Sequence, residues 1–198
     1  MTEQQIQAFF IALSELYNKT CQVILLGAGA GALYGNVRPS LDIDFEIQVK
    51  GAKNKMALQE AIEKTSKATG IAVNYAENVS GWSMINFLDY RKTAVPYQQF
   101  GKLTVKLMHP AYWTIGKMTR FLELDIQDMV KVIQAKHLKS KELVHLWVKA
   151  LRQSELSLAS GQFRQQVHQF LKQYAKKCWG SNTSAEELID LFETHLKK

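Results

Sequence analysis

The chain has 198 residues, 46% apolar and 22% charged, enough for one domain or for a core with a helical appendage. That balance excludes disordered, collagen-like and coiled-coil chains. No apolar run approaches the roughly 18 residues that span a bilayer, and the polar, acidic start MTEQQIQAFF lacks the plan of a signal peptide, so a cytoplasmic protein without membrane partners is expected. Cys21 and Cys178 stand far apart with no CxxC spacing, which argues against a disulfide scaffold or zinc site. The formal charge of +7 is lopsided: residues 1–99 carry 9 basic and 9 acidic side chains, residues 100–198 carry 16 and 9, and residues 131–177 carry 10 and 2. Such a segment attracts polyanions, nucleic acid foremost. A solvated lysine-rich helical surface is the competing explanation.

In chain order, Gln4 to Tyr17 spaces Ile6, Phe9, Phe10, Leu13 and Leu16 as a helix capped by Thr2. Gln22 to Leu26 reads as a strand. Gly27 to Tyr34 then forms a glycine- and alanine-rich tight turn and short helix, stopped by Gly35, Asn36 and Pro39. Leu41 to Val49 alternates strictly, with Leu41, Ile43, Phe45, Ile47 and Val49 on one face and Asp42, Asp44, Glu46 and Gln48 on the other. Lys55 to Thr69 is helical with Met56, Ala57, Ala61 and Ile62 inward and Gly70 as its C-terminal cap. Ile71 to Tyr75, Ser83 to Leu88 and Leu103 to Met108 are strand-like, broken by Gly81, Pro96 and Gly101.

After Pro110 the pattern is wholly helical: Ala111 to Leu122, Asp125 to His137, Ser140 to Gln153, Gln162 to Lys177, and Ala185 to Lys197 capped by Thr183 or Ser184. The fold class expected is α+β, a mixed sheet with flanking helices over residues 1–110 followed by an all-helical, basic region over 111–198.

Asp42 and Asp44, two apart on a strand, project from one face about 6.5 Å apart. Like charges so close repel unless neutralised, and Asp is depleted in strands, so a hard cation such as Mg²⁺ is one explanation and an edge face paired with lysines is the other. The side-chain-poor turn Gly27-Ala28-Gly29-Ala30 lets backbone N–H groups approach a phosphate, though it equally suits close helix packing.

These residues resemble the nucleotidyltransferase superfamily and, within it, the bacterial AbiEii-like group that includes toxins of toxin–antitoxin pairs. The match runs through Gly27, Ala28, Ala30 and Gly35, then Arg38, Ser40, Asp42 and Asp44, and resumes at Lys117, Asp125, Ile126 and Asp128, with Arg120 in the same stretch; it covers residues 22–133. Ala28 departs from the family's Gly or Ser.

The resemblance implies transfer of a nucleoside monophosphate from a nucleoside triphosphate to a hydroxyl, with Asp42 and Asp44 holding two Mg²⁺ ions. Gly27, Ala28, Arg38, Ser40, Lys117 and Arg120 would contact the nucleotide, and Asp125 and Asp128 would support them. A third carboxylate is implied without a fixed spacing: Asp89 is chosen, with Glu46 and Glu77 as rivals. Acceptors consistent with the basic tail are RNA, a tRNA end among them, with a protein hydroxyl or small molecule open, and an antitoxin is the implied protein partner.

Lys117 paired with Glu123 or Asp125, and Asp125 and Asp128 paired with Lys131, are the structural alternatives. Gly27-x-Gly29-x-x-Ala32 also fits a dinucleotide-binding turn, but the helix after it is too short and no βαβ alternation follows. A non-catalytic protein that keeps the fold and binds nucleic acid or a partner is the rival of a different class. Trp147, Trp179, Phe163 and Phe170 could stack on bases in that case, although tryptophans at helical spacing are more often core. The five histidines show no metal-ligand spacing and receive no role.

Overall fold

The computed structural model describes residues 1–35 and 41–197. The chain divides into two compact units, Met1–Leu33, Arg38–Val79 and Arg91–Met108 forming the first and Tyr34–Val37, Ser80–Tyr90 and His109–Lys198 the second. Ser80–Tyr90 thus groups with the helical unit, although it lies within the 1–110 span assigned to the core from sequence.

The first unit is a five-stranded mixed sheet carrying helices. Helix α1 (Glu3–Leu16) is opened by a capping box in which Thr2 and Gln5 exchange side-chain-to-backbone bonds. Strand β1 (Cys21–Leu25) leads without a separate turn into α2 (Gly27–Tyr34), followed by β2 (Asp42–Gln48), α3 (Ala52–Thr69), β3 (Ala72–Ala76), β4 (Val95–Phe100) and β5 (Leu103–Leu107). The sheet order is β3-β2-β1-β5-β4. β1 lies antiparallel to β2 and parallel to β5, β2 is parallel to β3, and β4 is antiparallel to β5.

The alternation read in β2 sets the two faces. Phe45 faces the helix layer, where its ring meets Phe9 at 6.2 Å and Phe10 at 5.9 Å, and Phe10 stacks on Phe100 at 5.8 Å. Ile6, Phe9, Phe10 and Leu13 of α1 and Leu58, Ala61, Ile62 and Thr65 of α3 are buried. Each fully buried aliphatic or aromatic side chain contributes about 1.5–3 kcal/mol to folding. Gly70, at φ 68°, caps α3 in the left-handed conformation expected of it.

Five expectations need correction. Met56 is 69% exposed, because the buried face of α3 begins at Leu58. Leu41 at 95% and Leu16 at 54% are likewise exposed: Leu41 precedes β2, and Leu16 ends α1 beyond the last packed turn. Ser83 to Leu88 is not a strand; it follows a 3₁₀ turn, Val79–Trp82, and runs as bends and a turn into the short helix α4 (Tyr90–Thr93). Conversely Val95–Phe100 is a strand despite Pro96, because β4 borders the sheet and the register shifts between Pro96 and Gln98. Proline lacks the N–H that a central strand needs and is tolerated at such a bulged edge.

The second unit is helical: α5 (Pro110–Arg120), α6 (Glu123–Ala135), α7 (Ser140–Arg152), α8 (Leu158–Trp179) and α9 (Ala185–Lys197). Its core contains Trp147, Phe163, Phe170 and Phe192, all with no exposed surface. Trp147 Nε1 donates to Thr114 Oγ1 at 3.0 Å, and Trp179 Nε1 to the Leu138 carbonyl at 2.7 Å. Trp147, Phe163 and Phe170 are therefore core, not platforms for bases. Among the described residues no helix is long and apolar enough to cross a membrane.

Candidate functional site

The carboxylate face of the sheet is built by register. Residues paired across a sheet project to the same side, so Asp42, Asp44, Glu46 and Gln48 share their face with Ala72, Asn74 and Ala76 of β3, with Gln22 and Ile24 of β1, and with Thr104 and Lys106 of β5. Asn74, directly opposite Asp44, is the residue that sequence reading missed. Its Nδ2 donates to Asp42 Oδ2 at 2.7 Å and to Asp44 Oδ1 at 3.2 Å, so one amide bridges both aspartates. A donor held between two oxygens relieves part of their repulsion.

Gly27 closes the other side of Asp44. It opens α2 at φ 53°, and a β-carbon there would lie 1.9 Å from Asp44 Oδ2. The charge met first by the N-terminus of α2 is therefore the Asp44 carboxylate, a placement favoured by the helix dipole. Leu26 N–H donates to the Asp44 carbonyl at 2.9 Å, which fixes the strand against the helix start. Ala28 is buried as the second residue of α2. Arg38 and Ser40 lie outside the described residues.

Glu46 has a different fate from its two neighbours. It is fully buried, and Arg91 grips it through Nε to Oε1 at 2.6 Å and Nη2 to Oε2 at 3.1 Å. Val79 N–H adds a third bond at 3.1 Å, and Arg91 Nη2 also reaches the Glu77 carbonyl at 3.0 Å. A buried carboxylate satisfied by a bidentate guanidinium is a fastening. Glu77 itself pairs with Lys55. Both rivals for the third carboxylate are thus engaged in ion pairs, while Asp89 is exposed in the turn between Leu88 and α4, within the second unit.

The second unit brings together Lys117, Arg120, Asp125 and Asp128. Lys117 Nζ, on a side chain only 3% exposed, donates to Asp125 Oδ1 at 2.9 Å and to Asp128 Oδ2 at 2.8 Å. Arg120 Nη2 donates to Asp125 Oδ1 at 2.6 Å. Burial raises the Asp125 pKa, but the hydrogen bonds and charges of Lys117 and Arg120 outweigh it and hold the carboxyl below its ordinary value. Lys117 also lies 5.1 Å from the Trp113 ring centroid. Of the pairings expected from sequence, Lys117 with Asp125 is present, and Asp128 is held by Lys117 where Lys131 had been expected.

Lys106 is half-buried on the carboxylate face and forms no ion pair among the described residues. Its signal was legible: Leu103, Val105 and Leu107 alternate inward, which turns Thr104 and Lys106 to the face of the aspartates. Cys21 and Cys178 are buried thiols whose pKa values desolvation pushes up to about 11 and about 12. They are poor nucleophiles.

Two carboxylates and an amide oxygen are hard donors, and Mg²⁺ takes one or two protein carboxylates with substrate phosphates and water completing its shell. The donor chemistry fits Mg²⁺. Among the described residues no group of three or more His, Cys, Asp or Glu could hold a metal, so any ion here would depend on the amide, water or substrate for its remaining ligands.

The chain matches no protein-family model, no curated protein and no solved structure.

Proposed function

We propose that the chain is a Mg²⁺-dependent nucleotidyltransferase that moves a nucleoside monophosphate from a nucleoside triphosphate to a hydroxyl acceptor. The observation that carries this reading is the pair Asp42 and Asp44 on one sheet face, bridged by Asn74 and pressed against the backbone of Gly27 at the head of α2. Asp42 and Asp44 would hold the metal. Bound Mg²⁺ supplies charge neutralisation to a triphosphate and acidifies a bound hydroxyl.

Rotation of the Asn74 amide exchanges Nδ2 for Oδ1, turning a donor between two carboxylates into an acceptor beside them. The first turn of α2 presents backbone N–H groups, those of Ala28 and Gly29 among them, of the kind that suits phosphate oxygens. Lys106, on the same face, is a better-placed cation for a phosphate than Lys117, whose ammonium is committed to two buried carboxylates. Lys117, Asp125 and Asp128 then serve to hold α5 to α6, with Arg120 at their edge. Asp89, and the binding of nucleotide by Arg38, Ser40 and Arg120, stay in the proposal only through the resemblance, as does an antitoxin partner. The basic second half favours an RNA acceptor.

Purified chain incubated with each labelled nucleoside triphosphate, Mg²⁺ and cellular RNA tests the reading. Label on RNA, lost in the Asp42→Ala, Asp44→Ala double variant, supports it; no transfer to RNA or protein with any nucleotide overturns it. A second reading, a non-catalytic binding protein of the same architecture, is favoured by Glu46. The remaining acid of β2 on this face is consumed by Arg91, so no third carboxylate joins the pair from that strand. Metal-dependent nucleotide binding without transfer would select that reading.

A further inference from the structure

Sequence spacing gave no histidine a role, yet the helical unit brings two together. His145 on α7 and His195 on α9 face each other with ring centroids 4.6 Å apart and planes tilted by 43°. They line a groove of about 480 Å³ whose other walls are Val148, Lys149, Arg152 and Gln153. His145, Lys149 and Arg152 follow one another at i, i+4 and i+7, so one face of α7 presents all three.

Two facing imidazoles could begin a transition-metal site, and His195 Nδ1 lies 2.9 Å from the Leu191 carbonyl, to which it donates. The charge around the pair decides against a cation. No lining side chain is acidic, and an ammonium and a guanidinium share the groove. Neither Lys149 nor Arg152 forms an ion pair among the described residues, whereas Lys139 is paired with Glu142 and Arg164 with Glu193 on the same helical unit. A surface that leaves two cations unmatched beside flat, aromatic rings suits a polyanion with planar groups between its charges.

We infer that the α7–α9 groove is a docking surface for single-stranded nucleic acid. Phosphates meet Lys149 and Arg152, and a base lies against the His145–His195 pair, as bases stack on aromatic and imidazole faces elsewhere. The apolar wall at Val148 supports the sugar or base edge. The location agrees with the charge distribution, since α7 falls inside the stretch 131–177 with its 10 basic and 2 acidic residues. This inference stands apart from nucleotide transfer and needs neither Mg²⁺ nor Asp42 and Asp44.

Fluorescence anisotropy of a short labelled oligoribonucleotide of mixed sequence, titrated with full-length chain over a series of salt concentrations, provides the test. Wild-type binding should weaken with salt, and Lys149→Ala with Arg152→Ala should reduce affinity at least tenfold and lower the log–log salt slope by about 1.4, at about 0.7 for each single-strand phosphate released. His145→Ala with His195→Ala should lower affinity and leave the slope in place. Lys172→Ala with Lys176→Ala removes the same charge from α8 and should change the slope by less than half as much.

His145, Lys149, Arg152, Lys172 and Lys176 are exposed and His195 is half-buried, and a thermal melt checks that each variant folds. Equal losses from the Lys149/Arg152 and Lys172/Lys176 double variants would overturn the inference in favour of diffuse charge, and absent wild-type binding would overturn it outright. Displacement of the RNA by polyglutamate of matched charge would overturn it in favour of an acidic protein. Binding that persists in the Asp42→Ala, Asp44→Ala double variant, alongside failed transfer by wild type, would leave the groove standing and sink the transferase.

Discussion

The Asp44 carboxylate fills the space that a side chain at Gly27 would need: a β-carbon added at Gly27 would stand 1.9 Å from the Asp44 Oδ2 atom. The backbone there is also left-handed, at φ 53°, so two separate requirements fall on one glycine. Gly29, two residues on, has nothing nearer than 3.8 Å to a virtual β-carbon. Gly27→Ala should therefore lose at least about 2 kcal/mol of stability, while Gly29→Ala stays within about 0.5 kcal/mol of wild type. Urea denaturation of both variants checks this, and equal stabilities would refute the close approach.

Asn74 makes metal and stability interdependent. In Asn74→Asp the bridge becomes a third carboxylate opposite Asp44, and repulsion should lower the melting temperature in chelator by several degrees, as about 1–2 kcal/mol would. Added Mg²⁺ should then raise it by more than it raises wild type, since a ligand that binds only the folded chain stabilises it. Melting curves with EDTA and with Mg²⁺ measure both. If Mg²⁺ shifts neither protein, the metal reading of this face fails.

The buried cluster around Lys117 predicts a structural phenotype. Lys117→Met removes the ammonium that two buried carboxylates share, one of which already has an oxygen, Asp125 Oδ2, without a hydrogen-bond partner, and should cost about 3–5 kcal/mol. Arg120 is more than half exposed on its side of the pair, and Arg120→Ala should cost no more than about 1 kcal/mol.

The Asp125 carboxyl is held below its ordinary value, so its stabilisation is complete above the unfolded carboxylate pKa, near 4, and disappears as pH falls through the lower folded value. Denaturant midpoints from pH 7 down to 2 should show the gap between wild type and Asp125→Asn closing only in that acid range.

Lys106 separates the two candidate lysines functionally. Lys106→Ala removes a cation from the carboxylate face without breaking an ion pair among the described residues, so stability should change by less than about 0.5 kcal/mol. Affinity for nucleoside triphosphate should fall about tenfold, the loss of one charge-assisted phosphate contact. Isothermal titration with a non-hydrolysable analogue and Mg²⁺ gives the comparison, and an unchanged affinity would remove Lys106 from the site.

Much of this architecture could be read from residue order. The helix period of Ile6, Phe9, Phe10 and Leu13, the Thr2 cap, the alternation of β2 and the Gly70 stop all act locally, and each appears where its local chemistry puts it. Pairings made by distant segments were illegible. Nothing in the sequence near Asn74 says that β3 lies parallel to β2 in the register that sets its amide against Asp44. Glu46 looked like one of three equivalent acids until Arg91, 45 residues away, proved to claim it. Ser83 to Leu88 has strand-like composition but no neighbour in the sheet, whereas Pro96 hid a strand whose edge position tolerates it. His145 and His195 meet because α7 packs on α9, a tertiary fact with no spacing signature.

The kinked border made by Pro96 has a consequence for how these molecules behave toward one another. An outermost strand with an intact row of free amide and carbonyl groups invites a neighbouring copy to continue the ladder; a ring nitrogen and a slipped register interrupt that row. Crowded solutions of this protein should therefore resist zippering into fibrils along that margin.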